Sequence, residues 1–101
     1  MLFRSAEFVV ELVDSFLDDA PGLLGALEAA VARGDVTAFR RAAHTLKSNA
    51  TTFGAMALAD TARMLEHLPS QDLEVVAPQH LADLRARYGE AAQALRDQCR
   101  A

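Results

Sequence analysis

One histidine of the chain, His44, is flanked by cations at helical spacing. Arg40 and Arg41 lie four and three residues before it and Lys47 lies three residues after it, so a helix would bring these side chains onto one polar face. A neutral imidazole is a nucleophile at neutral pH, and nearby cations stabilise the charge of an incoming phosphoryl group. Ser48 is small and leaves space one turn further on, so this face could accept a phosphoryl group.

The same face also has a plainer interpretation. A surface histidine beside lysine and arginine is commonly just solvated, and charged neighbours perturb histidines in structural settings as well as in functional ones. On spacing alone, ordinary surface is therefore the more common interpretation of His44, and a functional assignment needs further motifs.

The segment that must position His44 runs from residue 35 to residue 54 and reads as one helix. Asp35 is a typical N-cap residue, and Gly54 is a typical left-handed stop. Apolar residues recur at alternating spacings of three and four, which is the buried seam of a helix in a bundle. The seam consists of Val36, Phe39, Ala43, Leu46, Ala50 and Phe53. Since His44 lies one step round the helix from this seam, we expect its ring to reach solvent.

Four further amphipathic helices are predicted, at residues 5–18, 20–33, 55–68 and 78–100, with a short turn at 73–76. Pro21 and Pro78 are each assigned to the start of a helix, because proline is tolerated in a first turn but not deep in a helix. No segment reads as a strand. The predicted fold class is all-α: an antiparallel, up-down four-helix bundle with an additional N-terminal helix, formed as a single domain by residues 1–101.

Composition limits the partners that the chain can take. The formal net charge is −4, and an acidic chain with one small basic patch is a poor nucleic-acid binder. No apolar run reaches the roughly 18–20 residues that span a bilayer, so we expect no membrane insertion and a cytoplasmic location. A complete bundle buries its own seam, so a monomer is expected.

The remaining chemically active side chains give no second site. The three histidines, His44, His67 and His80, show neither an i, i+4 ligand pair nor a cysteine partner, so no metal site is predicted. His67 and His80 are interpreted as solvated residues. Cys99 is the only cysteine, which rules out an internal disulfide, and nothing near it in sequence resembles a catalytic partner.

The sequence HTLKS at residues 44–48, followed by Ala50 and by Gly-Ala at 54–55, resembles the signature of histidine-containing phosphotransfer (Hpt) domains. Those domains carry His-x-x-Lys-Gly or His-x-x-Lys-Ser, and Gly-Ala closes the helix at the same distance. The run from 30 to 43 is also similar to the family. The resemblance covers the whole helical layout.

The resemblance implies a phosphocarrier without autokinase activity in a two-component phosphorelay. His44 would accept a phosphoryl group from an aspartyl phosphate on a receiver domain and relay it to an aspartate of another receiver. Lys47 would stabilise phosphate charge, and Ser48, at a position most often held by glycine, would leave access to the ring. Thr52 stands where asparagine is frequent in the family. The implied partners are response-regulator receiver domains, and a hybrid histidine kinase where the pathway contains one. The Mg²⁺ ion of such transfers belongs to the receiver, so no cofactor is expected in this chain.

Docking is expected on the surface around His44, and the candidate contact residues are Leu24, Arg40, Arg41 and Met64. A sensor kinase is excluded because the residue after His44 is a threonine rather than an acid, and because the chain has no glycine-rich ATP-binding segment. The alternative that remains open is a helical adaptor that binds signalling partners without being phosphorylated. The presence of both His44 and Lys47 argues against that alternative.

Overall fold

Four α-helices and one short 3₁₀ turn make up the structure, a computed structural model that describes the backbone of residues 2–100 and the side chains of residues 8–75 and 77–98. The helices are α1 (Leu2–Arg33), α2 (Val36–Thr52), α3 (Met56–Glu66) and α4 (Leu73–Arg100), and the 3₁₀ turn is Ser70–Asp72. Successive helices pack side by side and α4 closes against α1. The described residues contain no strand, and the all-α bundle predicted from the sequence is confirmed.

The predicted break between the first two helices is wrong, because α1 continues through Pro21. Proline has no backbone N–H and cannot bond to the carbonyl of Leu17, four residues earlier. The hydroxyl of Tyr88, on α4, donates a hydrogen bond to that carbonyl oxygen at 3.3 Å. The additional N-terminal helix of the prediction is therefore the first half of a single long helix.

The predicted start of the last helix is also wrong, since α4 begins at Leu73 and contains Pro78. The segment interpreted as a short turn is the first turn of this helix. Leu73 and Ala77 are buried, so the core holds this turn in place. The missing N–H of Pro78 leaves only the carbonyl of Glu74 without its helical partner, and Glu74 is exposed where water can serve as donor.

The ends of α2 are set by local chemistry, as the sequence indicates. The Asp35 carboxylate accepts a hydrogen bond from the Ala38 amide at 3.0 Å, which caps the helix N-terminus. At the other end Gly54 has a φ of 71°, and the Ala55 amide bonds back to the Ala50 carbonyl at 2.9 Å. Both signals lie within a few residues of the helix, so the predicted boundaries of α2 are confirmed.

The core runs along the bundle and holds α2 by its apolar seam. Its largest fully buried side chains come from all four helices: Leu27, Phe39, Leu46, Leu58, Leu65 and Leu84. Four residues of the predicted α2 seam are buried, and Val36 and Phe53 at its ends are half-buried. Each fully buried leucine contributes about 1.5–3 kcal/mol of transfer free energy. This burial holds α2 in place, and with it the polar face that carries His44.

The two longest helices extend past the other two, and the molecule measures 51 × 19 × 17 Å. Residues 8–16 of α1, called the α1 arm below, reach the end of α2 at Phe16, which packs on Phe53 with ring centroids 5.1 Å apart, and extend beyond it toward Phe8. Phe8, Val9 and Leu12 are 60%, 51% and 40% exposed. The apolar stripe predicted for the first helix is therefore only partly buried, because α2 and α3 are too short to cover it. Among the described residues, no helix has an apolar stretch long enough to cross a membrane.

Candidate functional site

His44 lies on the outer face of α2, and its side chain is 59% exposed. Its Nδ1 atom is 2.6 Å from Oε1 of Glu66 on α3. The second oxygen of the same carboxylate, Oε2, accepts a hydrogen bond from Nζ of Lys47 at 3.0 Å. One carboxylate thus joins the histidine and the lysine into a single unit, called the His44–Glu66–Lys47 network below.

This contact determines which ring nitrogen of His44 is free. An ionised carboxylate only accepts hydrogen bonds, so the short contact requires the hydrogen on Nδ1. In a neutral imidazole the other nitrogen, Nε2, then carries a lone pair and no hydrogen. Nε2 lies on the side of the ring away from the bonded atom, on a side chain that is mostly open to solvent. The geometry presents a nucleophilic nitrogen to an incoming group.

The charge of Glu66 is secured by its neighbours. Its pKa lies below the usual value because Lys47 donates a hydrogen bond to the carboxylate; partial burial opposes this shift, and the hydrogen bond and charge of His44 add to it. The side chain is 17% exposed, so water competes little for its oxygens. At neutral pH the carboxylate stays ionised and remains an acceptor for both partners.

The antiparallel packing of α2 and α3 brings the network together. The chain reverses at Gly54 and Ala55; His44 lies ten residues before Gly54, and Glu66 lies eleven residues after Ala55, so the two face each other. Sequence reasoning missed Glu66 as a site residue. The sequence does contain a signal for it: Glu66 is an acidic residue at nearly the same number of residues from the turn as His44.

The family model of the Hpt domain matches residues 11–100. The chain belongs to the Hpt domain family. Hpt domains are phosphocarriers in two-component phosphorelays and interact with the receiver domains of response regulators and kinases. No curated protein and no solved structure is significantly similar to the chain.

In this Hpt domain the lysine of the motif is turned toward the carboxylate. Nζ of Lys47 is bound to Glu66, and the Lys47 side chain is 28% exposed. The resemblance implies that Lys47 stabilises phosphate charge. In the structure its ammonium group contacts the same carboxylate as His44 does.

The arginines and the serine near His44 differ in their surroundings. The guanidinium of Arg40 donates to the Leu68 carbonyl at 3.1 Å and so ties the segment after α3 to α2. Arg41 and Ser48 are exposed on the same helix. The hydroxyl of Thr45 bonds back to the Arg41 carbonyl at 3.0 Å rather than to the imidazole. Arg40 therefore has a structural contact in addition to its predicted place in the docking surface.

Two apolar residues predicted for docking lie in different environments. Leu24 is 3% exposed, so its prediction as a surface contact is wrong; it follows Ala20 and precedes Leu27 at helical spacing, and all three point into the core. Met64 is 52% exposed on α3. Only Met64 of the two offers apolar surface to a partner.

A shallow groove lies between α1 and the C-terminal end of α2, on the helix that carries His44. Its volume is about 200 Å³, and it is lined by Leu12, Ser15, Phe16, Asp19, Asn49, Thr52 and Phe53. Thr52, the residue at the position where the family frequently has asparagine, lies in this groove, eight residues after His44 on the same helix. Its hydroxyl donates to the Ser48 carbonyl at 3.0 Å.

The other two histidines of the sequence, His67 and His80, are not part of the His44–Glu66–Lys47 network. His67 is exposed at the end of α3, where its backbone amide bonds to the Arg63 carbonyl at 3.3 Å, and His80 is half-buried on α4. The side chain of Cys99 lies outside the described residues. In the described part of the chain, no three His, Cys, Asp or Glu side chains are grouped so as to hold a metal ion.

Proposed function

We propose that this Hpt domain accepts a phosphoryl group on Nε2 of His44 from the aspartyl phosphate of one receiver domain and passes it to an aspartate of another. The observation that carries the proposal is the 2.6 Å contact between Nδ1 of His44 and Glu66. An ionised carboxylate can only accept, so the contact favours the hydrogen on Nδ1, and in a neutral ring the lone pair is then on Nε2.

In the forward step the Nε2 lone pair attacks the phosphorus atom, and the bond between phosphorus and the receiver aspartate oxygen breaks. The aspartate leaves as a carboxylate. Positive charge develops on the imidazole as the new bond forms, and the ionised Glu66 at Nδ1 stabilises that charge without a proton having to move. In the second transfer an aspartate oxygen of the next receiver attacks, and the imidazole leaves with its Nδ1 hydrogen still in place. The Mg²⁺ of these transfers is supplied by the receiver.

Lys47 acts in this scheme mainly through Glu66. Its ammonium group, 3.0 Å from Oε2, lowers the pKa of the carboxyl and holds the carboxylate in the orientation that meets His44. Ser48 leaves room beside the ring for the receiver.

The docking surface that we propose follows the exposed face of α2 that carries His44 and extends to both neighbouring helices. Leu12 lies on the α1 arm next to the groove that Thr52 lines, and Met64 is exposed on α3, two residues before Glu66. Arg41 adds a cation within this face.

The experiment is phosphotransfer from a phosphorylated receiver, followed as acid-labile, base-stable phosphate on the chain. The wild-type chain is expected to take the label and His44→Gln is expected to take none. His67→Gln is the matched control, since it removes another exposed histidine and should leave labelling unchanged. Label on His44→Gln would refute the site, and an unlabelled wild-type chain with every receiver tested would favour the adaptor alternative.

A further inference from the structure

Helix α1 passes through a proline without ending. Pro21 lies in the interior of Leu2–Arg33, where the missing N–H and the bulk of the ring normally kink or break a helix. The acceptor left without its helical partner is the carbonyl of Leu17. A bend at this position would move everything on the N-terminal side of it, including the α1 arm.

A donor on another helix satisfies the Leu17 carbonyl. The Tyr88 hydroxyl donates to the Leu17 carbonyl oxygen at 3.3 Å, across 71 residues of sequence. The Tyr88 ring packs against Phe16, with centroids 6.2 Å apart, and Phe16 packs against Phe53 at the end of α2. Partial burial raises the pKa of Tyr88, so the hydroxyl keeps its proton and remains a donor. The donor is thus held by packing at the point where the helix lacks a bond.

We propose that Pro21 is a hinge point in α1 and that the Tyr88 hydroxyl keeps it closed, which holds the α1 arm alongside the end of α2. Tyr88 is then a positioning residue for receiver docking, because the arm carries the exposed Phe8, Val9 and Leu12 and forms one wall of the groove that Thr52 lines. The hinge itself is independent of phosphotransfer; only the consequence for docking rests on the proposed function.

The test is a double-mutant cycle between Tyr88→Phe and Pro21→Ala. Tyr88→Phe removes the hydroxyl and keeps the ring on Phe16, and Pro21→Ala returns the backbone N–H that can bond to Leu17. In the chain that retains Pro21, Tyr88→Phe should accelerate hydrogen exchange of the arm amides by about fivefold, the equivalent of one neutral hydrogen bond of about 1 kcal/mol. In the Pro21→Ala background the same change should have almost no effect. Pro78→Ala is the control, since the carbonyl that it affects is exposed on α4 and should show no coupling to Tyr88.

The functional readout uses the same four proteins of the cycle in transfer from a phosphorylated receiver. Tyr88→Phe should raise KM for the receiver severalfold with an unchanged maximal rate, and adding Pro21→Ala should restore KM. If Tyr88→Phe accelerates exchange equally in both backgrounds, the hinge is overturned, because Tyr88 would then act by packing alone. If Tyr88→Phe has no effect on exchange in either background, the hinge is overturned as well. Exchange coupling without a KM change would overturn the docking role. Failure of His44 labelling in the wild type would refute the proposed function and leave the exchange cycle as a test of the hinge.

Discussion

Replacing Glu66 by glutamine tests the network with almost no change in shape. The carboxylate offers one oxygen to Lys47 and one to His44, whereas an amide has a single oxygen and an NH₂ group. Lys47 can only donate, so it will take the amide oxygen, and the NH₂ group will then face Nδ1 of His44. A donor in that position requires a lone pair on Nδ1, which moves the ring hydrogen to Nε2 and blocks the nucleophile.

The expected result for Glu66→Gln is transfer slower by at least about 10- to 100-fold, the range found when the carboxylate that orients a metal-bound histidine is changed. The assay is single-turnover transfer from a phosphorylated receiver, with ¹⁵N NMR of the imidazole to report the tautomer. Lys47→Met in the Glu66→Gln background should restore part of the rate, because the amide oxygen is then free to face Nδ1. Glu74→Gln, a change at an exposed glutamate of α4, is the matched control and should have no effect.

If Glu66→Gln transfers at the wild-type rate with the hydrogen still on Nδ1, Glu66 does not set the tautomer of His44. The 2.6 Å contact would then not determine which nitrogen of His44 carries the hydrogen during transfer. A slow Glu66→Gln variant that Lys47→Met fails to improve would contradict the part assigned to the lysine.

Three further predictions separate the network from the scaffold. Lys47→Ala should slow transfer while far-ultraviolet circular dichroism stays unchanged, since Lys47 lies off the apolar seam; lost helicity would contradict this placement. Leu46→Ala should lower the free energy of unfolding by about 2–5 kcal/mol in urea denaturation, because Leu46 is completely buried. The folded-state pKa of Glu66 is depressed, so its contribution to stability is present above the unfolded pKa and is lost as the pH falls through the folded value. The acid limb of a stability profile, from the ordinary glutamate value of 4.5 downwards, should therefore be shallower for Glu66→Gln than for the wild type, and identical slopes would contradict the shift.

The parts of the structure that were predicted correctly depend on local signals. The bounds of α2 follow from the Asp35 cap and the Gly54 stop, and the exposure of His44 follows from its step off the seam. The parts that were missed depend on contacts between distant segments. The continuity of α1 through Pro21 involves Tyr88, and the partner of His44 is Glu66 on the next helix. The residues next to Pro21 do not point to Tyr88, and the signal for Glu66 lies on the next helix rather than next to His44.

The docking residues show a second limit of sequence reasoning. Leu24 and Met64 are both apolar residues of amphipathic helices, and spacing within one helix does not say which side its neighbours cover. The core covers Leu24 and leaves Met64 open. On α1, the short lengths of α2 and α3 leave Leu12 exposed although it belongs to the apolar stripe. The length of each helix relative to its neighbours therefore decides which apolar residues are available to a partner.

The most direct measurement of the central claim is the position of the phosphoryl group on the histidine ring. The chain, labelled with ¹⁵N in its histidines, is phosphorylated by a receiver and examined by NMR without denaturation. We expect the phosphorus to be bonded to Nε2 of His44, while Nδ1 keeps its hydrogen and its bond to Glu66. Phosphorus on Nδ1, or on His67 or His80, would contradict it.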